Sequence, residues 1–406
     1  MSEIELDQEN RLREVHFTIE ELFFSRTDPR GRIVAGNSVF QRVSQYDWDE
    51  LLGKPHNVIR HPNMPRGVFW LLWDQIRKGK PIGAYVKNKA KSGEYYWVFA
   101  VVTPIKGGYL SVRLKPSSHL LGIIEKEYEE ILDKELSLAL KPNESAHALL
   151  RRLEQMGYRD YTTFMGLALA REIAERQRAM KADPDPVLTL FERLVASSQS
   201  LLDTADLVFK GYHAHRFVPM NLMVQAGRLG AEGAAIGTIS SNYSALSGEI
   251  RDGMDIFIQA AREVAAVISE GIFLVGTAKI QIDMIEVFRE EAQIDGGIQR
   301  DLEAGLLESQ HKAYHEQALE NLHRILNLID HFQHEAAAMQ RLASGLAAIR
   351  VMGKVESGRL SLSVLDDLLN DLERFQKLIG EGLVEIKNVN RNMHDTYREL
   401  LENYLA

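Results

Sequence analysis

At 406 residues the chain is too long for one ordinary hydrophobic core, so two or three domains are expected. A formal net charge of -9 with no strong basic cluster excludes a general nucleic-acid binder, which needs a basic face to displace counterions from phosphates. The absence of cysteine removes disulfides, thiolate nucleophiles, Cys-ligated zinc, iron–sulfur clusters and cysteinyl photoadducts.

Residues 1–14 are mostly acidic and polar with no apolar core, so no signal peptide is read there. Apolar residues at near-helical spacing between Leu12 and Leu22 predict a lead helix within the segment 1–20. Leu22 to Thr27 is strand-like, Asp28-Pro29-Arg30-Gly31 has turn chemistry, and Arg32 to Ala35 returns as a second strand. Asn37 to Ser44 and Asp47 to Leu52 suit short helices. Pro65 fits the first turn of a longer helix, in which Val68, Leu71, Leu72, Gln75 and Ile76 recur at helical spacing up to Gly79.

Three β-rich segments follow, Ile82 to Lys89, Gly93 to Thr103 and Gly108 to Leu114, joined by turns short enough for antiparallel hairpins. Two strands, short helices, a longer helix and three strands give an α+β domain over residues 21–116, a five-stranded antiparallel sheet with flanking helices. That order of elements is the PAS topology.

Strand signals stop at Ser117. A linker helix is predicted over residues 117–140, and residues 141–406 read as a mostly all-α output bundle with breaks near 141–144 and 182–186. Gly230 to Gly237 and Asp295-Gly296-Gly297 are the expected bends within it. Val264 to Lys279, its most apolar window, is interrupted by Glu270 and reads as too short to span a bilayer. No membrane span and a cytoplasmic location are therefore expected.

The run Gly53-Lys54-Pro55-His56-Asn57-Val58-Ile59-Arg60-His61-Pro62-Asn63-Met64-Pro65, followed by Val86-Lys87-Asn88-Lys89 and Ser92-Gly93-Glu94-Tyr95-Tyr96-Trp97-Val98, closely resembles the PAS domain of bacterial aerotaxis receptors. The resemblance covers residues 20 to 116 and departs from the family where its turn acid is Asn63 and an aromatic after the long helix is Ile82. It implies a non-covalently bound FAD whose redox state reports energy or oxygen, with Asn37, Arg60, His61, Asn63, Asn88 and Trp97 as the cofactor-binding candidates. An isoalloxazine ring needs an apolar slot, amides at its polar edge and a cation for the phosphates, which Trp97, Asn88 and Arg60 match in type. Two alternatives stay open: b-type haem on His56 or His61, and a PAS domain used for dimerisation or scaffolding with no cofactor.

Farther on, Asn221-Leu222-Met223-Val224-Gln225-Ala226-Gly227-Arg228-Leu229-Gly230-Ala231-Glu232-Gly233 is similar to the tip of chemoreceptor signalling domains. The similarity implies docking of a chemotaxis histidine kinase and its adaptor, with Asn221, Gln225 and Arg228 as candidate contacts in a degenerate receptor-like bundle. A homo-oligomer is expected. Of His311, His315, His323, His331 and His334, only the first pair has i,i+4 spacing and no carboxylate completes a site, so no metal is expected. No phosphate loop, nucleophile elbow or kinase motif is present, and the chain is read as a signalling protein without catalysis.

Overall fold

The computed structural model describes residues 13–215, 217–291, 298–360 and 363–405. The chain forms two compact units, one of Met1–Thr189 with Ser269–Glu320, the other of Leu190–Ile268 with Asn321–Ala406. These cuts differ from the boundary expected at residue 141, because part of the helical region packs into the unit that contains the sheet.

In the first unit β1 (Leu22–Thr27), β2 (Ile33–Gly36), β3 (Ile82–Lys89), β4 (Tyr95–Ile105) and β5 (Gly108–Leu114) make one antiparallel sheet in the order β2-β1-β5-β4-β3. Between β2 and β3 come α1 (Ser38–Ser44), α2 (Trp48–Leu51), a 3-10 turn (His56–Ile59) and α3 (Arg66–Arg77). The five-stranded α+β sheet is the one its sequence predicts. The β4–β5 hairpin turns on Gly107 and Gly108, and a Cβ on Gly108 would lie 1.9 Å from the Thr27 carbonyl oxygen, so only glycine fits.

Both faces of the sheet are covered, where the sequence order of elements suggested helices on one face, and the strands accordingly carry near-continuous apolar runs such as Tyr95 to Val102. The second face, carrying Phe24, Arg26, Tyr85, Trp97 and Phe99, meets α4 (His119–Ser137), α6 (Tyr161–Ala179) and parts of α9 (Ala234–Glu290) and α10 (Arg300–Leu360). Tyr128 of α4 lies 6.2 Å from Trp97 between ring centroids, and Phe288 of α9 lies 5.0 Å from Phe24. Glu303 of α10, 2% exposed, accepts from Arg26 Nε and Nη2, each at 2.7 Å. Between α4 and α6, α5 (Pro142–Gln155) packs on α3, starting with Pro142 in the first-turn position that the sequence read as a break.

The expected lead helix does not form over its described part. Residues 13–21 contain no helix and join the sheet at a single bridge: Tyr95 N donates to Arg13 O at 3.0 Å and Val15 N to Tyr95 O at 2.8 Å. The reason lies in the sheet. Because β5 ends at Leu114 opposite Phe99, the start of β4 has an open edge, and the N-terminal segment pairs with it while Phe17 packs against Phe23 and Tyr96.

The second unit is helical. It holds most of α7 (Pro186–His215), α8 (Val218–Arg228), a 3-10 turn (Gly230–Gly233), the first part of α9, the last part of α10, and α11 (Ser363–Leu405). Phe257 and Phe332 meet at 4.7 Å in its core, and Gly230, at φ +59, makes the expected bend after α8. The bend expected at Asp295-Gly296-Gly297 lies outside the described residues. Among the described residues the helical stretch Gly230–Glu290 contains an 18-residue window apolar enough, by length and composition, to cross a membrane, and 72% of that window is buried in the fold. Val264, Val267, Ile268 and Ile272 of this stretch are buried.

Candidate ligand-binding site

Between the first face of the sheet and α3 lies a cavity of about 320 Å³. Its floor is Ser25 and Thr27 of β1, Val86 and Asn88 of β3, Ala100 and Val102 of β4, and Tyr109, Ser111 and Arg113 of β5. These positions alternate along their strands, as side chains on one pleated face must. The roof is Phe69, Leu72, Trp73 and Ile76, one stripe of α3 at i, i+3, i+4 and i+7. Gly31 lets that roof close, since a Cβ there would stand 2.8 Å from the Trp73 ring.

The roof helix is anchored from outside the cavity. Pro65 supplies no side-chain cap, and Glu135 of α4 takes its place, accepting from Arg66 N at 2.7 Å and Gly67 N at 3.3 Å. Ser145 of α5 also donates to this buried carboxylate.

The lining holds three arginines, Arg30, Arg60 and Arg113, and no Asp or Glu. Arg113 is 5% exposed; its Nη2 donates to Ser25 Oγ at 2.8 Å and lies 2.8 Å from His56 Nε2. Arg113 Nη1 and the Ser111 hydroxyl have no hydrogen-bond partner among the described residues. Burial lowers the Arg113 pKa to about 10, which leaves it charged at neutral pH. His56, enclosed as a wall of the cavity, is held down to about 3 by burial and by the Arg113 charge, and is therefore neutral. Burial also lowers the Arg60 pKa; its guanidinium lies 3.9 Å over the Phe69 ring, and its Nη2 donates to Met64 O at 3.3 Å.

Of the six residues singled out in the sequence, Arg60 and Asn88 line the cavity, and a backbone bridge joins them. The other four lie elsewhere. Asn37, fully buried, caps α1: its Oδ1 accepts from Phe24 N at 2.9 Å and Phe40 N at 3.2 Å, and its Nδ2 donates to Leu22 O at 2.8 Å. His61 Nδ1 accepts from Asn63 N at 3.1 Å, so this ring holds the turn, and Asn63 itself is exposed. Trp97 pairs with Lys87 while its neighbour Tyr96 pairs with Asn88, which puts Trp97 on the face away from the cavity.

Arg113, Ser111, Ser25 and Trp73 were not singled out in the sequence. The one available signal was an arginine inside the otherwise uncharged strand Tyr109 to Leu114. In the second unit Asn221 and Arg228 are exposed and Gln225 is half-buried, at i, i+4 and i+7 on a stripe of α8 that flanks the buried Leu222 and Ala226. His311 and His315 stack at 6.1 Å, and no group of three or more metal-ligating side chains occurs among the described residues.

Residues 33–112 match the PAS fold family. They form a PAS domain. The chain is 37% identical over 112 residues to the aerotaxis receptor of Escherichia coli K12, a match covering 26% of this chain and 22% of the receptor. It is 28% identical over 105 residues to the biofilm dispersion protein BdlA of Pseudomonas aeruginosa, covering 25% of each chain. The chain thus matches about a quarter of the length of these curated relatives. Among solved structures, the light-state LOV domain of the blue-light photoreceptor Aureochrome1 is 25% identical, with 26% of this chain and 88% of that one covered and a TM-score of 0.23. A LOV domain studied with a flavin analogue is 20% identical, covering 27% and 88%, with a TM-score of 0.24.

Proposed function

We propose that the protein is a cytoplasmic, non-enzymatic signalling protein whose PAS domain holds FAD non-covalently, and whose helical parts relay the redox state of the flavin to chemotaxis partners. The observation that carries this is the cavity itself: apolar and aromatic walls, one buried amide at Asn88, and three arginines with no acid in the lining. Its volume of about 320 Å³ suits a planar tricyclic ring, with the rest of a dinucleotide reaching past the rim. Asn88 would serve the polar edge of the ring, Trp73 of the roof one face, and Arg30 and Arg60 the phosphates. The kinship of the PAS domain to an aerotaxis receptor favours the same class of signal. Haem is disfavoured: His56 Nε2 is engaged with Arg113, and His61 Nδ1 is engaged with Asn63.

Two buried carboxylates suit the relay. Glu135 ties the roof helix to α4. Glu172 of α6 accepts from Tyr85 Oη at 2.6 Å, from Ser117 N at 2.7 Å and from Ser118 N at 3.0 Å, which ties β3 to the start of α4. The outward side of α8, with Asn221, Gln225 and Arg228, is the candidate docking face for a chemotaxis kinase or adaptor.

The test is the absorption spectrum of the purified full-length protein, with and without added FAD. Flavin bands bleached by dithionite support the proposal. A colourless protein that takes up no added FAD overturns it and leaves a PAS domain used for docking. Pull-down with a chemotaxis kinase and adaptor tests the output arm, and absence of binding removes α8 from it.

A further inference from the structure

Arg113 is unusual for a buried cation. It is 5% exposed, it lines the cavity, and the atoms that meet it are a hydroxyl, a neutral imidazole nitrogen and an aromatic face, the Phe40 ring at 5.7 Å. A buried charge normally sits against its opposite, because desolvation is otherwise uncompensated. The ionisable groups around it are His56 of the 3-10 turn, Tyr96 of β4 and Tyr109 of β5, with Arg30 and Arg60 on the cavity rim; none is an acid. Ser111, also 5% exposed and without a partner at its hydroxyl, stands two residues away on the same strand face. The cavity wall therefore carries a positive charge that its own side chains leave uncompensated.

Resting on the flavin reading above, we propose that Arg113 sets the charge of the reduced cofactor: its cation holds the negative charge that a reduced flavin carries at its N1 and C2 carbonyl edge. The step balances as follows. Two electrons from an external donor and one proton from solvent enter the ring, the proton bonds to N5, and the remaining negative charge stays at N1 and C2=O instead of being neutralised by a second proton. Opposite charge close by in a poorly hydrated site favours the ionised form. Arg113 acts here as a positioning and tuning residue, and no catalysis is implied.

The test is spectroelectrochemical titration of the FAD-loaded full-length protein by dithionite across neutral pH, which reads the number of protons taken up per two electrons. The wild-type protein should take up one. Arg113→Gln should take up two and lose affinity for reduced relative to oxidised flavin by about tenfold or more, and Arg113→Lys should restore one-proton uptake. Uptake of two protons by the loaded wild-type protein overturns the inference without recourse to any variant. So does an FAD-loaded Arg113→Gln protein that behaves as wild type. Failure of the wild-type protein to bind FAD at all is a different result, and it overturns the flavin reading together with this inference.

Discussion

Nη2 of Arg113 stands 2.8 Å from Nε2 of His56. Guanidinium nitrogens only donate, so the imidazole nitrogen accepts, the ring proton sits on Nδ1 and His56 is neutral. The pair is a donor and an acceptor, and the arginine charge beside the ring opposes its protonation.

Acid should unfold the PAS unit through this pair. The His56 pKa falls from an ordinary 6.5 to about 3 in the folded protein, so the unfolded chain binds the extra proton between those limits. Stability is fully present above pH 6.5 and is lost as pH falls toward 3, by up to about 1.4 kcal/mol per pH unit. Urea midpoints measured against pH should show this slope, and His56→Gln should flatten it.

Asn37→Ala should destabilise the protein without emptying the cavity. Its side chain makes three backbone hydrogen bonds between β1 and α1, and losing them leaves Phe24 N and Leu22 O buried and unpaired. A loss of about 2–3 kcal/mol is expected in chemical denaturation. FAD affinity at a temperature where the variant is folded should match wild type.

Trp73 and Trp97 should separate in a ligand titration. Trp73 roofs the cavity and Trp97 lies under the sheet against Tyr128. Trp73→Leu should weaken FAD binding by roughly tenfold, the scale of one lost aromatic contact. Trp97→Phe should leave affinity unchanged and lower the thermal midpoint. Equal losses of affinity in both variants would contradict the assignment of the two faces.

Glu172→Ala should cost roughly 2–4 kcal/mol, because the Tyr85 hydroxyl and the Ser117 and Ser118 amides lose their acceptor together. Hydrogen exchange should show the start of α4 losing protection ahead of the sheet. A variant with wild-type exchange at residues 117–121 would remove Glu172 from the join between β3 and α4.

The strands were legible because their apolar runs end at Gly and Asp turns, and the roof helix because one stripe recurs at helical spacing. Which face each strand residue took was not. Tyr95 to Val102 is buried on both sides, so polarity does not alternate and Trp97 reads the same whichever way it points. Arg60 and Asn88 were found from motif chemistry. Arg113 was not, because a lone arginine in a strand reads as solvent-facing unless the cavity behind it is known. The lead helix failed because a helical pattern over ten residues is weaker than an open strand edge. The division of the helices between two units left no mark, since both parts share one periodicity.

The anchoring of α3 by Glu135, together with the cover that α4, α6 and α9 give the second sheet face, has a consequence for how this protein is cut. The segment recognisable by kinship, residues 33–112, is shorter than the segment that must fold with it. Expressed alone it would lose the cap on the first turn of α3 and expose Tyr85, Trp97 and Phe99 to water. Inheritance and cooperative folding have different borders here, and only a piece that includes the sheet's helical cover would keep the cavity in its native form.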